Sequence, residues 1–163
     1  MATILAMSAA PWVLLAYRLP REPSTPRIAL WRALRRLGAA QLLDGLVALP
    51  ADNRTREQLE WLADTVVEAG GEATIWLAQP GSRRQERVLA AAMQAEAAAE
   101  YRRLIEQAET ARSSAVGARK RTLGRLRREL RRIRRRDYFR AAEGARASAA
   151  VEALARSLDE VAA

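Results

Sequence analysis

The strongest constraint on this chain is a change of character at Pro80-Gly81. Before that point short apolar runs alternate with proline and glycine breakers, the punctuation of strands and turns. Beyond it the sequence is rich in alanine, arginine and glutamate, which favour helix, and strand signals are absent. A chain of 163 residues is expected to form one domain with an appendage, and it buries an adequate core only if most of it folds together.

In the first half, Trp12-Val13-Leu14-Leu15-Ala16-Tyr17 reads as a buried strand between Pro11 and the Pro20 and Pro23 breakers. Thr25-Pro26 marks a helix start, with Thr25 as N-cap and Pro26 at the first helical position. Leu30, Leu34 and Leu37, flanked by Ile28 and Trp31, give that helix an apolar face, and Gly38 ends it. Residues 39–43 and 46–49 flank Asp44-Gly45, a two-residue hairpin signal. A second helix is expected near Thr55, capped through Thr55-x-x-Gln58, with Leu59, Leu62, Ala63, Val66 and Val67 on its apolar face. Gly70-Gly71 stops it, and residues 73–78 form the last strand. The order β-α-β-β-α-β predicts an α+β, ferredoxin-like sandwich over residues 10–80. About seventy residues make a thin core, so later helices or a second subunit are expected to cover one sheet face.

An all-α extension is expected over residues 81–163. Ser82-x-x-Gln85 is a capping box that opens an alanine-rich helix running to about Glu109, with a break between Arg112 and Gly117. A basic helix over residues 118–140 and a final alanine-rich helix from Ala145 to Val161 complete the chain. Between Arg119 and Arg140, twelve Arg and Lys stand against Glu129 and Asp137, a net of +10. The whole chain carries +9, so all the rest sums to −1 and the basicity is local.

That helix has a definite geometry. Leu123, Leu126, Leu130 and Ile133 follow spacings of 3, 4 and 3 and share one stripe. At about 100° per residue, Arg121, Arg125, Arg128, Arg132 and Arg135 form a ridge opposite that stripe, while Arg127, Arg131 and Arg134 cover one flank. Like charges at these spacings repel, and arginine's planar fork suits phosphate. A polyanion, DNA first, is the expected partner; a merely solvated arginine face is the competing reading. The same stripe would also serve an interaction module that assembles with itself. Arg18, Arg21 and Arg27 form a smaller candidate site for an oxyanion near a helix start, against the alternative of solvated loop arginines.

Cysteine and histidine are absent, which removes thiolate nucleophiles, Cys-based metal sites and the usual general base near neutral pH. A metal-dependent nuclease would need carboxylates clustered at a strand end, whereas the first strand ends in Arg18-Leu19-Pro20-Arg21. No enzymatic activity and no cofactor are expected. The third strand, Leu46 to Leu49, lacks the aromatic residues of RNA-reading sheets. The four tryptophans, at 12, 31, 61 and 76, are assigned to core or interface packing. Met1 to Tyr17 lacks the basic start of a secretory signal and the length of a membrane span. A cytoplasmic location without membrane partners is expected, with the first few residues a ragged start before a strand.

The chain resembles the N-terminal domain of the ChrB family of chromate-resistance proteins. The resemblance lies in Trp12-Val13-Leu14-Leu15-x-Tyr17-Arg18-Leu19-Pro20 and in Arg27-Ile28-Ala29-Leu30-Trp31-Arg32-Ala33-Leu34-Arg35-Arg36-Leu37-Gly38-Ala39. It continues through Leu49-Pro50, Gly70-Gly71 before Ile75-Trp76, and Arg135-Arg136-Asp137-Tyr138-Phe139. It implies a chromate-responsive transcriptional regulator whose N-terminal domain contacts DNA. Regulators of that family carry a further C-terminal domain, and this sequence stops at Ala163. The resemblance therefore implies DNA binding without sensing, or reliance on a separately encoded partner. Without Cys or His, reduction of chromate by thiols or retention of Cr(III) is not expected.

Overall fold

The computed structural model describes residues 11–162; the ragged start expected of the first few residues lies outside them. The element order is β1 (Trp12–Arg18), α1 (Thr25–Leu37), β2 (Ala40–Leu43), β3 (Leu46–Pro50), α2 (Asn53–Glu68), β4 (Glu72–Ala78), α3 (Arg83–Ala111), α4 (Val116–Arg136) and α5 (Glu143–Ala162). The protein is α+β, with one four-stranded antiparallel sheet and five helices among the described residues. It divides into two compact units, one reaching Arg87 and one from Val88 onward, and the boundary falls inside α3.

In the first unit the sheet order is β2-β3-β1-β4. Val13 of β1 pairs with Leu49 and Leu77, and Leu15 with Val47 and Ile75. Strand alternation places these residues on one face. Val13, Leu15, Val47 and Leu49 are buried there, together with Leu59, Leu62 and Val66 of α2, which packs on β1 and β4. Leu43 pairs with Leu46 around Asp44-Gly45, and a bulge between Gln41 and Leu43 bends β2. Gly45 has φ +76°, and a Cβ there would stand 2.4 Å from the Tyr17 carbonyl oxygen. The Gly45 carbonyl also accepts the Tyr17 N–H at 2.8 Å. Only glycine allows the hairpin to lie this close to β1.

Two caps differ from the sequence expectation. Ser24, not Thr25, is the N-cap of α1, because the Ile28 N–H already donates to the Ser24 carbonyl. In α2 the box moves one turn earlier. Asp52, in extended backbone, accepts the Thr55 N–H at 2.7 Å, while its own N–H donates to Thr55 Oγ1 at 2.9 Å. The Thr55 N–H, donating to the Asp52 carboxylate, holds that carboxyl below its ordinary range. Thr55 is fully buried and donates its hydroxyl to the Pro50 carbonyl. Gln58 therefore takes no part in the cap, and its Oε1 is buried without a hydrogen-bond partner. The tryptophans also divide. Trp12 is buried, but Trp31, Trp61 and Trp76 are 54%, 66% and 60% exposed, so core packing accounts for one of the four.

In the second unit, Tyr101, Leu104, Ile105 and Ala108 of α3 pack with the leucine stripe of α4 and with Ala147, Val151 and Leu154 of α5. The basic helix starts at Val116 and stops at Arg136, short of the expected residue 140. The Asp137 carboxylate explains the stop. It accepts the Ala141 N–H and, at 3.1 Å, the Tyr101 hydroxyl, while Arg140 turns left-handed at φ 52°. Asp137-Tyr138-Phe139 interrupts the basic run and Arg140 resumes it, but no glycine or proline marks the helix end, which conceals it in the sequence.

Burial pushes the Tyr101 phenol up to about 12, with the Asp137 charge and hydrogen bond acting in the same direction. A raised phenol contributes stability that is complete below its unfolded value near 10 and lost as pH rises through about 12. Tyr101→Phe is expected to lower stability at pH 8 by about 1–3 kcal/mol, the scale of a hydrogen bond to a charged acceptor. It should also flatten the fall in urea midpoint between pH 10 and 12 that is expected of the unsubstituted chain. An equally steep fall in both proteins would remove Tyr101 as the responsible group.

Candidate nucleic-acid interface

Helix α4 is oriented by its apolar stripe. Leu123, Leu126, Leu130 and Ile133 are all buried within the second unit. Opposite that stripe, Arg121, Arg125, Arg128, Arg132 and Arg135 are exposed, as are Arg127, Arg131 and Arg134 on the flank. The stripe is spent on the unit's own core.

The basic residues separate into two groups by what they touch. Arg119 donates to the Ser114 carbonyl at 2.9 Å and to the Ser157 carbonyl at 2.9 Å, tying the start of α4 to α5. Arg136 pairs with Glu100 of α3. Arg125 on the ridge donates to Gln107 at 2.6 Å and reaches Glu129 at 3.3 Å. Arg134 on the flank donates to Ser148 of α5. By contrast, Arg121, Arg128 and Arg132 on the ridge and Arg127 and Arg131 on the flank have no hydrogen-bond or ion-pair partner among the described residues. Lys120 is equally exposed and unpaired, and its position beside Arg127 and Arg131 on the flank extends the set. The sequence marked Lys120 only as part of the charge total, although helical periodicity alone places it on that flank.

This arrangement supplies several guanidinium forks on one helix, with no protein anion paired to them among the described residues. It suits a line of phosphates rather than a single small ion. No group of three or more Asp, Glu, Cys or His side chains that could hold a metal occurs among the described residues. No helix among them is long and apolar enough to cross a membrane.

The smaller candidate site lies in the first unit. Arg18, Arg21 and Arg27 line one cavity at the start of α1, together with Tyr17, Asp44 and Trp31. Arg18 is paired with Glu72 at 2.8 Å, with both side chains exposed. Arg21 and Arg27 form no salt bridge among the described residues. Sequence proximity made the three arginines visible as a group. The arrival of Asp44 depends on the pairing of β3 with β1 and could not be read locally.

A family model described as Protein ChrB, N-terminal, matches residues 27–163. The chain belongs to the ChrB family. A curated relative, Protein ChrB of Cupriavidus metallidurans, is 35% identical over 75 residues, or 46% of this chain. The match spans 23% of that relative's length. No solved structure matches the chain. All of α4 lies inside the ChrB family match, as does Arg27, whereas Arg18 and Arg21 precede it.

The division of α4 into a buried stripe and an exposed ridge has a direct test in stability. Leu126→Ala is expected to lower unfolding free energy by about 2–5 kcal/mol. Arg128→Ala should change it by no more than about 0.5 kcal/mol. Chemical denaturation that shows comparable losses for both would place Arg128 in the packing of the unit.

Proposed function

We propose that this chain is a non-enzymatic, cytoplasmic DNA-binding regulator or accessory protein of the chromate-resistance type, contacting the phosphate backbone through α4. One observation carries the reading: six cationic side chains, Lys120, Arg121, Arg127, Arg128, Arg131 and Arg132, are exposed and have no partner among the described residues, on a helix whose opposite stripe is buried. Membership of the ChrB family supports it. A polyanion removes the mutual repulsion that the fold leaves in place, and phosphate contacts bind without reading sequence. Specificity for a particular operator would then come from elements other than this ridge.

We also assign the first unit to the ferredoxin-like fold. Its β-α-β-β-α-β order and its antiparallel β2-β3-β1-β4 sheet support that assignment.

The test is a binding series with duplex DNA of the chain's own upstream region, random duplex and heparin. If the five unpaired arginines each neutralise one phosphate, log K should fall against log[salt] with a slope of about −4 to −5, from about −0.9 per contact. Arg128→Ala or Arg132→Ala should weaken binding to every duplex alike and flatten the slope by about one. Variants that leave both affinity and slope unchanged would reduce the ridge to a solvated face.

A further inference from the structure

The cavity at the start of α1 has a volume of about 690 Å³, within the range of about 300–1,000 Å³ typical of small-molecule sites. Its rim is cationic. Arg18 is compensated by Glu72, which leaves Arg21 and Arg27 as guanidinium groups without a carboxylate partner among the described residues. The helix end that meets the cavity is uncompensated as well. Ser24 makes no side-chain cap bond, and the first turn of α1 contains no acidic residue. The partial positive charge of the helix start therefore has no anion from its own first turn.

The cavity also has a firm floor and an apolar wall. Tyr17 and Gly45 are joined through the 2.8 Å backbone bond, and the tight approach of the hairpin leaves no room for a side chain at Gly45. Burial first, and then the charge of Asp44, raises the Tyr17 phenol, which stays protonated near neutral pH and is available as a donor. Ile28 and Trp31 line the cavity and are about half exposed, at 46% and 54%. Trp31 is already covered on one side by Arg35, whose guanidinium lies 5.3 Å from the ring centroid. Asp44 disfavours a second anionic group within the cavity.

We propose that this cavity binds a phosphate monoester with a small planar organic body. Arg21, Arg27 and the start of α1 take the phosphoryl group, and Trp31 and Ile28 take the body. The volume and the apolar wall exceed what an inorganic oxyanion would use, and the single cationic end matches one phosphoryl group. The site is built from residues of the first unit alone, and the proposal does not depend on the function proposed for α4.

Isothermal titration of the full chain with phenyl phosphate, inorganic phosphate and sulfate, at constant ionic strength, tests this directly. Phenyl phosphate should bind saturably and at least tenfold more tightly than either inorganic anion. Arg27→Ala should weaken it tenfold or more, and Arg27→Lys should fall between, because charge remains but the fork is lost. Trp31→Ala should bring phenyl phosphate down to the level of inorganic phosphate. Arg128→Ala on α4 should leave the titration unchanged, and Arg27→Ala should leave duplex binding and its salt slope unchanged. Equal affinity for phenyl phosphate and inorganic phosphate would overturn the organic body and leave a free oxyanion. Absence of saturable binding, or binding that survives Arg21→Ala and Arg27→Ala in chains with native circular dichroism, would overturn the site altogether.

Discussion

Burial of Leu123, Leu126, Leu130 and Ile133 determines what the rest of α4 can do. A helix carrying this much charge of one sign has little reason to form alone, since its arginines repel at i, i+3 and i+4. Removing four large aliphatic side chains from water contributes roughly 1.5–3 kcal/mol each, well above the few tenths lost per repelling pair. Packing therefore wins, and it also decides direction. With the stripe turned inward, the opposite ridge can only face outward, and the arginines are displayed by the same contacts that hold the core together.

The fold spends some of its cations on itself. Arg119, Arg136, Arg125 and Arg134 reach Ser114 and Ser157, Glu100, Gln107 and Glu129, and Ser148 respectively. These bonds join α4 to its neighbours at both ends and along its length. Charge counting treats all twelve basic residues between Arg119 and Arg140 alike. Only the packed arrangement distinguishes a guanidinium that closes a turn from one that remains available.

The same distinction explains what the sequence could and could not convey. The 3-4-3 spacing in α4 was legible because a single helix determines which residues share a face. The Asp44-Gly45 hairpin was legible because its turn chemistry is local. The end of α4 was not, because Asp137 acts by accepting bonds from Tyr101, distant in sequence, and from Ala141 beyond the turn. Three of the four tryptophans lie outside the core, and the sequence could not separate core from surface positions because aromatic character alone does not say which side of an element is covered. The Asp52 cap was missed for a different reason: two boxes overlap at Thr55, and the carboxylate in extended backbone outcompetes the glutamine one turn later.

The unpaired arginines leave α4 with an internal electrostatic tension, and ionic strength acts on it in the opposite sense from its action on a bound polyanion. Added salt screens the repulsion between Arg127 and Arg131 and between Arg128 and Arg132, so it favours the folded helix. The same ions compete for the guanidinium groups and loosen a phosphate ligand. Dilute buffer is thus the condition in which the helix strains most against its own charge and gains most from an anionic surface. Its melting behaviour and the affinity proposed for it are two readings of one electrostatic field.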